Sequence, residues 1–123
     1  MSTDDTPLHS GWDEQALREI AATRQIEAVV LTDRRGRVLH SELRREVPEP
    51  IGALLELGLE STATMGRQLG LGEMAIVASV HDNGALVCGR TDAHNVVIIT
   101  SHKGNLGQLL SQVRRVFPGR TLA

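Results

Sequence analysis

Tyrosine is absent from this chain, and phenylalanine and tryptophan occur once each, as Phe117 and Trp12. A core built with so few aromatics must be filled by aliphatic side chains. The same lack removes the stacking platforms on which single-stranded nucleic acids are held. Cysteine occurs once, as Cys88, which excludes an intramolecular disulfide. Cys88 falls inside an expected strand and reads as a small buried hydrophobe, not a reactive thiol. No run of residues is apolar for long enough to span a membrane. Met1–Ser10 is polar and acidic and lacks the apolar segment of a signal peptide. The expected location is cytoplasmic, with residues 1–11 a flexible tail. Neither sign of charge is in large excess, the net charge being −2. No electrostatic footprint calls for nucleic acid or an anionic membrane.

What is present is enough for one domain. At 123 residues the chain buries roughly two thirds of its unfolded surface. Its most informative stretch runs from Gly70 to Val116. Glu73 to His81 alternates, which places Met74, Ile76, Ala78 and Val80 on one face of a strand. Asp82-Asn83-Gly84 is a hairpin turn, since Asn-Gly supplies the positive φ values that tight hairpins need. Ala85 to Arg90 returns. Asn95 to Ser101 follows, carrying the continuous run Val96-Val97-Ile98-Ile99 of a strand covered on both faces. Asn105 can cap a last helix with Gln108 as its reciprocal partner. Leu106, Leu109, Leu110, Val113 and Val116 form that helix's apolar stripe, and Pro118-Gly119 stops it.

Ahead of this stretch, Ser10-Gly11-Trp12-Asp13 reads as a loose capping box. It opens a first helix to about Arg24, with Trp12, Ala16, Leu17, Ile20 and Ala21 on one face. Ala28-Val29-Val30-Leu31 is a second continuously apolar strand. Asp33 to Gly36 turns it, and Arg37 to Ser41 returns as a polar edge. A second helix is expected from Pro50 to Leu69, ending at Gly70. Within it Gly58, Thr62 and Gly66 recur at four-residue intervals and line one stripe with small side chains. Glycine inside a helix costs up to ~1 kcal/mol relative to alanine, so such a stripe points to close approach by another backbone. That backbone is either this chain's own sheet or a second molecule, and spacing alone does not choose.

The order α-β-β-α-β-β-β-α fits an α+β fold, a five-stranded antiparallel sheet between layers of helix over residues 12–117, with 118–123 a C-terminal tail. Pairing the two central strands gives the spatial order 2-1-5-4-3. The third strand is then a long apolar edge, which invites aggregation unless something pairs with it. A two-fold partner would join two sheets there and bring the small-residue stripes together.

This arrangement resembles the Roadblock family of dynein light chains and their bacterial relatives, which include gliding-motility GTPase activators. Ile26-Glu27-Ala28-Val29-Val30-Leu31-Thr32-Asp33 followed by Gly36 is similar to the family's first strand and turn. Leu69-Gly70-Leu71-Gly72-Glu73 is similar to the end of its long helix. Val96-Val97-Ile98-Ile99 with Gly104-Asn105-Leu106-Gly107 is similar to its last strand and last helix start. The match runs from about Trp12 to Val116. The resemblance implies a profilin-like sandwich and a homodimer with a continuous sheet paired along the third strand. It implies a non-enzymatic regulator or binding partner of a small Ras-like GTPase. The alternative is a structural adaptor or scaffold subunit, in a motor or sensor-kinase complex, with no nucleotide-dependent partner. Candidate dimer residues are Gly58, Thr62, Met65 and Gly66 on the second helix and Met74, Ile76 and Ala78 on the third strand.

Chemistry of its own finds little support in the sequence. A P-loop needs Gly-Lys-Ser/Thr, and no Gly-Lys pair occurs. No cofactor is expected. His81, His94 and His102 stand near Asp82, Asp92 and Cys88, but at no zinc-ligand spacing, and read as turn residues. Arg34, Arg35, Arg44 and Arg45 are candidates for partner contact, including an arginine supplied in trans to phosphoryl transfer. The other reading of the four is solubilising turn residues.

Overall fold

A computed structural model describes the backbone of Leu8–His9 and residues 11–101 and 106–118. Ser10 of the capping box, His102, the Gly104-Asn105 helix start and Gly119 lie outside these residues. Helix α1 spans Glu14–Ala21. Its cap is the Asp13 carboxylate, which accepts from the Gln15 N–H at 2.9 Å and the Ala16 N–H at 3.2 Å. A capping residue needs extended backbone, here φ −113° and ψ 107°, so Trp12 cannot be helical as expected. Trp12–Asp13 instead forms strand β2, paired with β1 at Leu8–His9 through a turn at Gly11. Paired strand thus begins inside the expected 1–11 tail. Trp12 is buried all the same, against the core of α1. The helix ends before Arg24, where Gln25 takes a positive φ of 80° and its carbonyl accepts from Ser101 N–H and the Thr100 hydroxyl.

The main sheet holds β3 (Ile26–Asp33), β4 (Val38–Leu43), β5 (Ile76–His81), β6 (Gly84–Arg90) and β7 (His94–Thr100). Helix α2 (Ile51–Gln68) follows β4, and α3 (Leu106–Val116) closes the fold. The strand order is β4-β3-β7-β6-β5, antiparallel throughout, which is the expected 2-1-5-4-3. The two continuously apolar strands lie side by side at the centre, with Val29 opposite Ile98 and Leu31 opposite Val96. Both their faces are covered, so neither needs a polar face.

The two layers differ in thickness. Below the sheet, α1 and α3 bring Leu17, Ile20, Val113, Val116 and Phe117 onto Val29, Leu31, Val87, Val96 and Ile98. Above it, α2 sets Leu55 and Leu59 on Val30, Cys88 and Val97. The expected single face for Met74, Ile76, Ala78 and Val80 is corrected. Met74 packs with the α2 layer and Ile76 with the α1–α3 layer. The strand starts at Ile76, not Glu73, and alternation holds only where a ladder holds.

Within this chain, close backbone approach in α2 occurs at Gly52 and not at Gly58. A Cβ built on Gly52 would overlap the carbonyl oxygen of Gly36, which turns β3 into β4 at φ 90°. A Cβ on Gly58 would meet nothing within 4 Å. The Gly58–Thr62–Gly66 stripe is therefore not packed against this chain's own sheet. Gly52→Ala is expected to cost about 1–3 kcal/mol through overpacking. Gly58→Ala is expected to stabilise the dilute protein by about 0.5–1 kcal/mol through helix propensity. Urea denaturation of both variants at low protein concentration measures the difference.

Candidate functional site

The sheet end nearest α2 carries a row of polar side chains. Thr32, Asn95 and Arg90 are cross-strand neighbours on β3, β7 and β6, and all three are buried. The Arg90 side chain is only 5% exposed. Its Nη2 donates to Glu56 Oε2 at 2.8 Å and to Glu60 Oε1 at 2.9 Å. Asn95 Nδ2 donates to Glu56 Oε1 at 2.8 Å. Arg34 adds Nε to Glu56 Oε1 at 2.9 Å and Nη1 to the Thr91 carbonyl at 3.3 Å. Arg67 Nη2 reaches Glu60 Oε2 at 3.0 Å. Three guanidiniums around two carboxylates tie α2 to β6, β7 and the β3–β4 turn. Sequence reasoning passed over Glu56, Glu60, Arg90 and Asn95. The available signal was a pair of glutamates one helical turn apart in the otherwise apolar first half of the helix.

Of the four candidate arginines only Arg34 belongs to this network. Arg34 is engaged within the protein. Arg45 pairs with Glu27 at 2.9 Å, and Arg44 Nη1 donates to the Ile26 carbonyl at 3.4 Å. Arg35 is exposed on the β3–β4 turn. Arg34 and Arg35 precede β4 and Arg44 and Arg45 follow it, so about 20 Å of strand separates the pairs. They form two small basic sites, not one patch.

The turn itself is built on Asp33. Its Oδ1 accepts from the N–H groups of Arg35 and Arg37, each at 2.9 Å, and its Oδ2 from Arg37 Nε at 3.1 Å. The Arg37 N–H, helped by the Arg35 N–H and the Arg37 guanidinium, holds this carboxyl below its ordinary 3.8.

The other side of α2 is apolar and open. Leu54, Leu57, Met65 and Leu69 are all more than half exposed. Between α2 and the sheet lies a cleft of about 310 Å³ lined by Leu54, Gly58, Thr62, Val77, Ser79 and Leu86, among others. Gly58 and Thr62 of the expected interface border it, and Met65 and Gly66 continue the same helix. Ile76 and Ala78 lie on the neighbouring edge strand, and Met74 packs into the α2 layer. The two sheet edges contrast. β4 carries Glu42, is followed by Arg44, and its pairing with β3 shifts register between Leu31 and Thr32. β5 is regular and has no charged side chain from Ile76 to Val80.

The histidines do not converge. His94 stacks on Phe117 at 6.4 Å, and His81 Nε2 lies 2.7 Å from the Ser79 hydroxyl. His40, which the sequence did not single out, lies 6.0 Å from the Trp12 ring and 2.8 Å from Glu42. Among the described residues no three His, Cys, Asp or Glu side chains gather to hold a metal. Burial pushes the Cys88 thiol up to about 12, so it carries no thiolate near neutral pH. No described helix is long and apolar enough to cross a membrane.

A five-stranded antiparallel sheet with two helices below and one long helix above is the fold of Roadblock proteins. No family model matches the chain, and no curated protein matches it significantly. Solved structures do. MglB in a tetrameric arrangement superposes with a TM-score of 0.72 at 17% identity, over 82% of this chain and 79% of that one. The gliding protein MglB of Thermus thermophilus gives 0.67 at 20% identity, over 82% and 79%. A Roadblock/LC7 domain of Streptomyces avermitilis gives 0.69 at 12% identity, over 81% and 87%. The expected Roadblock likeness therefore holds for the fold.

Two outcomes test this site. Glu56→Ala leaves Arg90 buried with one carboxylate fewer. Its cost is expected at the lower end of about 3–5 kcal/mol, because Glu56 keeps 25% of its side chain exposed. Thermal or urea denaturation reads it. Asp33→Asn is expected to destabilise near neutral pH. A carboxyl whose value is lowered by folding stabilises above its unfolded value and ceases to do so as pH falls through the folded one. The gap between Asp33→Asn and the parent should therefore narrow as the pH is taken below 3.8.

Proposed function

We propose that this chain is a homodimeric, non-enzymatic binding partner or regulator of a small Ras-like GTPase. The observation that carries the reading is the open apolar surface that runs from the exposed side of α2 across the cleft to the β5 edge. Exposed leucines and a methionine beside small residues, next to an uncapped sheet edge, are features of an association surface. The stripe of Gly58, Thr62 and Gly66 supports helix-to-helix approach, because this chain's own sheet does not occupy it. The GTPase is implied by the Roadblock resemblance and is supported by the fold shared with MglB. The absence of a reaction of its own is supported by the use of the buried ionic groups, which hold α2 in place.

Sedimentation should give a dimer, and Gly66→Trp, which fills the small-residue stripe, should shift it to monomer. Affinity capture from native lysate should then be run with a non-hydrolysable GTP analogue in one arm and GDP in the other. A small GTPase enriched in the GTP arm is the expected result. The same partners in both arms would overturn it in favour of a scaffold adaptor indifferent to nucleotide.

A further inference from the structure

The geometry of the β5 edge assigns a single register to its pairing with a second copy, with Ala78 on the two-fold axis; the inference rests on the homodimer proposed above. The Arg90 N–H donates to the Ala75 carbonyl at 2.9 Å, and pairing runs in register from Ile76–Gly89 to His81–Gly84. In an antiparallel ladder a residue's N–H and C=O point to the same side, and the side alternates along the strand. Ala75, Val77, Ser79 and His81 therefore turn their backbone groups toward β6. Ile76, Ala78 and Val80 turn theirs outward, where β5 ends the sheet.

A two-fold partner that extends the sheet keeps the same face up in both copies. Residues directly opposite one another in an antiparallel pair also share a face. Each residue must then lie opposite one that differs from it by an even number, so one residue faces its own copy. If that residue is Val77, Val80 is carried beyond the end of the partner's strand at Ile76. If it is Ser79, Ile76 is carried past His81 into the turn. Only Ala78 at the centre lets Ile76 exchange bonds with Val80 of the partner subunit and Ala78 with Ala78 of the partner subunit. Every outward N–H and C=O from Ile76 to Val80 is then matched.

The side chains agree with this register. Alanine at the axis lets the two strands meet without bulk. Val80, 57% exposed, gains Ile76 of the partner subunit as cover. On the other face Val77 meets Ser79 of the partner subunit, at the floor of the cleft beneath α2. The opposite edge does not offer this, because the register shift of β4 and the charge of Glu42 interrupt it.

The test uses the whole chain in a mixed sample, one half isotope-labelled and the other not. A non-hydrogen-bonded pair brings Cα atoms to about 4.5 Å, so an intermolecular contact between the Val77 and Ser79 α-protons is expected. The amides of Ile76, Ala78 and Val80 should exchange at least about tenfold more slowly when the protein is concentrated enough to associate. Ala78→Pro removes one outward N–H but none used by β6, and should weaken the dimer about tenfold or more. A dimer with contacts of Val77 to its own copy, or Ser79 to its own, would overturn the register. So would a dimer in which those three amides exchange freely, and both results leave the homodimer intact. A chain that is monomeric at every concentration overturns the homodimer, and the register with it.

Discussion

One buried cation fixes where the long helix can lie. Arg90 sits at the end of a central strand in a place too dry for an unpaired charge, and among the described residues α2 brings the carboxylates that pair with it. The demand is directional. A guanidinium presents its donors in a plane, so Glu56 and Glu60 must approach from one side and at one height. Arg34 and Asn95 then occupy the remaining carboxylate oxygen of Glu56. Apolar packing alone would leave α2 free to slide, since Leu55 and Leu59 rest on a smooth floor of Val30, Cys88 and Val97. Ion pairing of this kind contributes little net stability relative to an apolar substitute, but it selects one placement among several.

That placement is off-centre, and the asymmetry of the two layers follows. The lower layer has two helices, each short and strongly amphipathic, whose apolar sides close fully over the sheet. The upper layer has one helix held toward the end of the sheet where the β3–β4 and β6–β7 turns lie. The lower half of that face, around Leu86 and Ile99, stays only partly covered. A chain with no tyrosine and a single phenylalanine, already used below the sheet, has no large side chain left to cover it. The open cleft is thus a result of composition as much as of geometry.

Much of this was legible in the residues. Two runs without a polar interruption, Ala28–Leu31 and Val96–Ile99, identify the central strands because only strands covered on both faces dispense with alternation. Their adjacency then orders the remaining three. What was not legible depended on distance along the chain. Arg90 and Glu56 are 34 residues apart, and nothing local marks an arginine as buried. Trp12 lies outside the helix because an aspartate cap is itself extended, so the helix begins only after Asp13. Met74 does not follow the expected alternation because period two holds only from Ile76, where the pairing with β6 begins, and not over Glu73 to Ala75. Nothing in the sequence separates Gly52 from Gly58, since a sequence does not say which glycine touches another backbone.

The contact between Gly36 and Gly52 has a consequence for the history of such a chain. Hairpin tips are ordinarily where length varies among relatives, because added residues project into solvent. Here the tip is wedged beneath the start of a helix, carbonyl against Cα, with no side chain between them to yield. A longer tip would lift the helix off its ionic anchor, and a shorter one would pull Asp33 out of its turn. The hairpin's length is therefore expected to be held constant over descent, while the exposed Arg35 at its tip drifts.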